Sequence, residues 1–422
     1  MKLTNAISAD GMKEWRAHWP VVLASMAGYA VSVLHVYSLG VMIEPLEQEF
    51  GWSRAQISTG HLIVSMFMFP LAPFMGMAID RFGPRRVAVA GVAFYCGAVA
   101  ALSFAQSALW TWYALWLLVA FGALCLMNTV WASAVTSLFD ASRGMALAVT
   151  FCGSGIMTFI APIATNSLVE NFGWRIAYAT LGAVAAVVVV PVVYLFFSSA
   201  KDAKRKAAGN VGLGRHPSSG RGMSLAEGLK SPPYVKLAVA ALVLAGISVA
   251  LLVNLVPILT SLGRDRGEAA AIAGMVGLTA IAGRLSGGYL LDHFNARVVG
   301  AIAALVLATS CLLLLNFGAT TAGAITAVLI AGLAVGAEID VVAYLTSRIV
   351  GAKSFGGLFG IMEGMLMFGA GIGPIVSNAV YDATRSYDAV LWAIVPLGML
   401  VAFLLFTLGR YPDFVKSADA AS

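Results

Sequence analysis

The chain of 422 residues is 60% apolar and 11% charged, where a soluble domain is about 45–50% apolar and roughly 25% charged. A mean hydropathy of +0.89 over the whole length spreads apolar surface beyond any single core, which excludes an ordinary soluble enzyme and makes lipid the solvent for most of the chain. A net charge of +6 would suit nucleic acid only as a basic face on a soluble domain, and no nucleic-acid partner is expected. The four cysteines, Cys96, Cys125, Cys152 and Cys311, lie scattered in apolar stretches without metal-ligand spacing, so neither a disulfide framework nor a metal site is expected.

A hydrocarbon core about 30 Å thick needs roughly 20 apolar residues to cross it. Twelve stretches meet that length: 19–42, 57–79, 87–105, 109–136, 144–168 and 175–197, then 233–260, 269–291, 298–317, 320–346, 355–380 and 387–409. The first is full length and lacks a small-residue cleavage pattern, so it is expected to stay in the membrane rather than be removed as a signal. Residues 1–18 and 410–422 read as tails. The basic, Gly- and Ser-containing stretch 198–232 divides two six-helix bundles, 19–197 and 233–409. Placing the termini and every second loop on one side gathers 20 of the 26 Lys and Arg residues there. Positive residues stay cytoplasmic, so the expected protein is multi-pass in a cytoplasmic (inner) membrane with both termini inside.

The halves repeat at an offset of 212 residues. Gly76-x-x-x-Asp80-Arg81-x-Gly83-x-Arg85-Arg86 follows the second span, and Gly288-x-x-x-Asp292-His293-x-Asn295-x-Arg297 follows the eighth. The same offset pairs Pro20 with Pro232, Pro45 with Pro257, Gly144 with Gly356, Pro162 with Pro374 and Asn166 with Asn378. Six spans per half make the two copies parallel, an arrangement in which substrate sites lie near the midplane. The loop pattern, its degraded copy, the twelve spans and the basic linker together resemble the major facilitator superfamily over essentially the whole chain. The resemblance implies an all-α membrane protein with 12 transmembrane helices in two parallel six-helix bundles, the MFS fold. In the loop, Gly76 would allow close helix approach, Asp80 and Asp292 would accept from a neighbouring helix end, and Arg81, Arg85 and Arg86 would anchor at the anionic cytoplasmic face. These residues read either as a topology anchor or as a gate that holds one access state.

Ionisable residues inside spans mark a pathway or a pair, and here they fall in the second half. Arg284 lies eight residues before Asp292, about 12 Å into the membrane at 1.5 Å per residue. Its planar, always-charged fork matches a carboxylate, which makes it the first candidate for binding an organic anion; the competing reading is a structural pair with Glu338, Asp340 or Glu363. Glu363 and Glu338 are the first candidate proton carriers, since a carboxyl group in low dielectric can be poised to titrate, and each can nearly as well serve a structural hydrogen bond; Asp340 joins them, its favoured reading being structural or cavity-lining. Positions 338 and 340 face different sides of their helix. Asn128 stands 212 residues before Asp340 and joins the substrate-binding candidates with Tyr37 and His35, although a lone histidine in an apolar helix often only packs. Trp110, Trp112 and Trp116 read as an interfacial belt or core.

Three segments resemble the monocarboxylate and oxalate/formate-type branch of that superfamily: Gly51-Trp52-Ser53-Arg54 with Gln56-Ile57-Ser58, Gly283-Arg284 through Gly287-Gly288, and Gly336-Ala337-Glu338 through Tyr344 and Arg348. The resemblance implies that Arg284 contacts a substrate carboxylate. The chain departs from the branch at Ala280, where animal-type members carry an acid, and at Tyr37, where a rough alignment places their lysine. The expectation is a secondary transporter that imports a small organic anion, a monocarboxylate, by proton symport with alternating access, acting as a monomer without a cofactor. Anion antiport of the oxalate/formate type, proton-coupled multidrug efflux and a non-transporting sensor are the alternatives. Span five reads Ala161-Pro162-Ile163-Ala164-Thr165, unlike the Gly-Pro-x-x-Gly-Gly of such exporters. No nucleophile elbow, metal cluster or nucleotide loop suggests an enzyme.

Overall fold

The computed structural model describes residues 9–139, 142–199, 223–351 and 355–409. Residues 1–8, most of the central loop and the tail 410–422 therefore lie outside the described residues, as do the side chains of Asp80, Arg143 and Asp292, while residues 9–18, read as tail, open the first helix. Helices account for almost everything else, as an apolar chain in lipid requires, because a helix satisfies its own backbone polar groups. In chain order they are α1 (Ala9–Ser32), α2 (Leu34–Phe50), α3 (Arg54–Phe82), α4 (Pro84–Ala101), α5 (Leu109–Leu124), α6 (Asn128–Leu138) and α7 (Arg143–Phe196). There follow α8 (Leu225–Lys230), α9 (Pro232–Ser261), α10 (Arg266–His293), α11 (Ala296–Phe317), α12 (Thr321–Val350), α13 (Phe355–Thr384) and α14 (Asp388–Phe406).

Among the described residues, eleven helical stretches are long and apolar enough to cross a membrane. One of these, Gly144–Phe196, has 53 residues, about 80 Å at 1.5 Å per residue and more than twice a bilayer core. Gly173 interrupts it with φ 80° and ψ 164°, a conformation glycine adopts without penalty. Two crossings are therefore joined by one residue where the sequence suggested a loop of several, and the total is twelve. Spans one and four are each made of two helices. Val33 (φ −102°, ψ 3°) separates α1 from α2, and residues 125–127 separate α5 from α6.

The chain divides into two compact units, Met1–Trp52 with Pro70–Leu213 and Ser53–Phe69 with Gly214–Ser422. The first half of α3 thus packs with the second unit, although its sequence position lies in the first six spans. In the first unit α7 runs along α1, α2 and α4. Its core is aromatic: Trp112, Trp116 and Trp131 are fully buried, with Trp112 and Trp116 edge to face at 5.6 Å. Trp110, two residues away, is 70% exposed, so the tryptophan cluster divides between core and lipid face. In the second unit the closest helix pairs are α10 with α12 and α9 with α13. The free cysteines Cys96 and Cys311 are buried, and Cys125 and Cys152 are half-buried.

Candidate functional site

The approach of α10 to α12 is set by glycines on both helices. A Cβ at Gly283 would meet the Leu333 backbone, one at Gly336 the Ala280 carbonyl, and one at Gly287 the Ala337 side chain at 2.9 Å. Two glycines four apart on each helix remove the side chains that would otherwise hold the backbones apart. At this crossing Arg284 of α10, next to Gly283, faces Asp340 of α12, one turn past Gly336, with Nε 3.8 Å from Oδ2. At that separation they are an ion pair rather than a hydrogen bond. The Arg284 side chain is 14% exposed and that of Asp340 36%, so the arginine is mostly enclosed while the acid keeps an open side.

The other two acids stand apart from this pair. Glu338 is buried on α12 and turned toward Ser248 of α9, whose hydroxyl makes no hydrogen bond of good geometry. Glu363 is half-buried on α13. Glu338 and Asp340 therefore occupy different environments, as a spacing of two on a helix dictates.

In the first unit, α2 starts after the break at Val33 with Leu34 and His35 of its first turn buried. The His35 backbone N–H donates to the Tyr95 hydroxyl at 3.1 Å, and His35 Nδ1 lies 2.8 Å from the same oxygen. The ring also meets Trp116 edge to face at 5.9 Å. His35 is thus a buried packing residue that ties α2 to α4, and Tyr37 is half-buried. Asn128 opens α6 immediately after the break at 125–127. The break is held by Trp131, whose Nε1 donates to the Leu126 carbonyl at 3.0 Å. The indole occupies the space that a side chain at Gly28 of α1 would fill. A helix that starts inside a span turns backbone N–H groups into the membrane interior, and sequence reasoning did not find this feature. Cys125, Leu126 and Met127 are all compatible with a continuous helix; the rearrangement depends on Trp131 reaching back five residues.

The loop after span two holds its glycine for a different reason than close approach at Gly76. A Cβ at Gly76 would meet nothing within 4 Å, whereas Gly83 adopts φ 86° to start α4. Arg85 donates to the Tyr194 carbonyl at 2.6 Å. Its repeat partner Arg297 donates to the Gly409 carbonyl, so both copies close an arginine onto the end of their unit's last helix. Arg81 and Arg86 are exposed.

A polar cluster in the second unit also escaped the sequence reading. The Asp382 carboxylate accepts from the backbone N–H groups of Arg54 and Ala55, at 3.1 and 3.0 Å, and so caps the start of α3. Arg54 stacks 3.8 Å above the Tyr381 ring and donates to the Tyr387 hydroxyl at 3.1 Å. Tyr387 donates to Asn378 Oδ1 at 2.9 Å, and Asn378 donates to Ser58 at 2.8 Å. The repeat had marked Asn378 and the branch resemblance had marked Arg54 and Ser58, but their mutual proximity arises from tertiary packing alone.

Residues 25–351 and 239–421 match the Major Facilitator Superfamily. The chain belongs to that family. It is similar to monocarboxylate transporter 12 of Rattus norvegicus, 25% identical over 416 residues that cover 90% of this chain and 85% of that protein. It is also similar to the Fujikurins efflux protein of Gibberella fujikuroi, 26% identical over 166 residues, 39% of this chain and 36% of that one. A crystal structure of a D-xylose-proton symporter superimposes with a TM-score of 0.72 over 93% of this chain and 98% of that one, at 14% identity that speaks for the fold alone. This facilitator is a multi-pass membrane transporter of small solutes with the MFS fold.

Proposed function

We propose that this facilitator imports a small organic anion, a monocarboxylate, together with a proton across the cytoplasmic membrane, with both termini inside. The observation that carries the reading is Arg284, enclosed within a membrane helix and paired with Asp340 at 3.8 Å. An arginine keeps its charge at any physiological pH, and a charge in low dielectric needs a counter-ion. Asp340 supplies one before substrate arrives, and a carboxylate substrate offers a better one because it can meet the guanidinium fork with two oxygens.

Charge balance then links the two cargoes. If Asp340 takes a proton, it releases Arg284, and the arriving anion restores one negative charge beside one positive charge. The loaded site has the same net charge as the empty one, so proton and anion travel together without leaving uncompensated charge in the bilayer. Of the three candidate acids, Asp340 fits this role by its contact with Arg284, while Glu338 and Glu363 are the alternatives. The similarity to monocarboxylate transporter 12 supports the same substrate class. The similarity to an efflux protein favours a second reading, proton-coupled export.

The test is uptake of labelled monocarboxylates into proteoliposomes under an imposed pH gradient. Arg284→Gln is expected to abolish saturable uptake while the protein remains in the membrane; retained uptake removes Arg284 from the binding site. Stabilisation of the purified protein by cationic drugs and by no organic acid would establish the export reading instead.

A further inference from the structure

We infer that the cleft between α13 and α14 is a slot for one phospholipid acyl chain. The two helices are joined through residues 385–387; beyond that point α13 packs mainly on α9 and α14 mainly on α11, while α9 also touches α14 and floors the gap between them. α13 lies tightly on α9, since a Cβ at Gly369 would strike the Leu242 carbonyl and one at Gly373 the Gly246 carbonyl. α14 leans on α11, where a Cβ at Gly398 would sit 3.0 Å from the Ala308 Cβ. A cavity of about 290 Å³ remains between them, lined among others by Gly246, Phe368, Val376, Ala389, Ala393 and Leu397.

Its chemistry selects the occupant. Ser377 is the one polar residue in the lining, and its hydroxyl already accepts from Asn254 Nδ2 at 3.2 Å. Among the described residues an organic anion would find no cation there and at most the Ser377 hydroxyl as a donor, and water would find too few partners. The cleft opens sideways: Val376 is 54% exposed, and Leu397 leads onto Trp392, Met399 and Phe403 of α14, all more than half exposed. That surface belongs to a membrane-spanning helix, so the cleft is continuous with the lipid-facing side of the protein. From Phe368 to Val380 it runs twelve residues along α13, about 18 Å, which is close to one leaflet of a core about 30 Å thick. A helix from a second copy is about 10–12 Å wide and too broad to enter, whereas an acyl chain is a single file of methylenes. Left empty, the lining would lose its dispersion contacts on one side.

The experiment is native mass spectrometry of the full-length protein purified from phospholipid nanodiscs into detergent, alongside Ala393→Phe and Val187→Phe. Ala393 lies in the exposed part of the lining; Val187 is 75% exposed on the surface of the first unit. The parent and Val187→Phe are expected to retain one phospholipid per chain, and Ala393→Phe to lose it. A parent that keeps no phospholipid, an Ala393→Phe variant that keeps it, or a dimer indifferent to lipid would overturn the assignment. Should Ala393→Phe fail to fold, the unsubstituted protein is reconstituted with a phospholipid bearing a photoreactive acyl chain. Crosslinks are then expected within residues 368–380 and 389–397, and crosslinks confined to other helices overturn the proposal equally.

Discussion

Replacing Asp340 with Asn separates a partner that competes with substrate from one that merely fixes the arginine in place. At the 3.8 Å between Arg284 Nε and Asp340 Oδ2, two unit charges attract by about 1 kcal/mol in a water-like dielectric and about 4 kcal/mol at an effective dielectric of 20. The 36% exposure of the Asp340 side chain places the pair toward the lower end, because solvent screens it. An anion that must displace Asp340 works against that attraction, and about 1.4 kcal/mol corresponds to tenfold in affinity. Asp340→Asn is therefore expected to tighten monocarboxylate binding by about tenfold, read by isothermal titration calorimetry on purified protein over a series of pH values. The sign of the pH dependence follows from the same competition. Protonating Asp340 relieves it, so the parent should bind the anion more tightly as pH falls, and Asp340→Asn should be flat at the tight level. Thermal stability without anion should drop in the variant and recover when anion is added, since a ligand stabilises the state it binds. Weaker anion binding in Asp340→Asn, or a pH slope equal to the parent's, would refute the reasoning. Loss of the slope in Glu338→Gln or Glu363→Gln instead would move the proton to that residue.

Three further substitutions examine the packing that holds these residues. Tyr387→Phe removes the hydroxyl that accepts from Arg54 and donates to Asn378; leaving buried partners unsatisfied costs about 1–3 kcal/mol, so the melting temperature in detergent should fall, and an unchanged value would mean the cluster contributes nothing. Gly336→Leu drives a side chain into the Ala280 backbone, an overpacking of about 1–3 kcal/mol or more, and should reduce the yield of monodisperse protein. Gly360→Ala, where a Cβ meets nothing within 4 Å, should be neutral or stabilising by up to about 1 kcal/mol; equal behaviour of the two glycine variants would contradict the close-approach argument.

The number of crossings was legible in the chain because the length of an apolar run is a local property, counted against a fixed bilayer thickness. The repeat at 212 was legible for a similar reason, and its Arg85 and Arg297 do perform the same contact in each copy. Individual breaks were less legible. The polar run around Glu170, Asn171 and Arg175 marked the boundary between spans five and six but not that Gly173 alone makes the turn, whereas the interruption at 125–127 differs little from continuous apolar helix in hydropathy and is distinguished by an indole hydrogen bond.

For the candidate site, residue chemistry alone named Arg284 as a charge in need of a partner, put Glu363 and Glu338 first as proton carriers and favoured Asp340 as structural or cavity-lining. Helix periodicity could separate Glu338 from Asp340 but could not say which face meets α10. The crossing of α10 on α12 decides that, because glycines on both helices set where the two backbones touch and hence which side chains emerge together. The same distinction governs the cluster around Tyr387. Ser58 and Asn378 are 320 positions apart in the chain, and no local pattern relates them. Composition and periodicity thus determined that the chain lies in a membrane and how often it crosses, since both depend on the solvent each segment prefers. Which polar groups become partners was decided by tertiary structure, because in a low-dielectric interior a polar atom is stabilised only by the neighbour that packing brings to it.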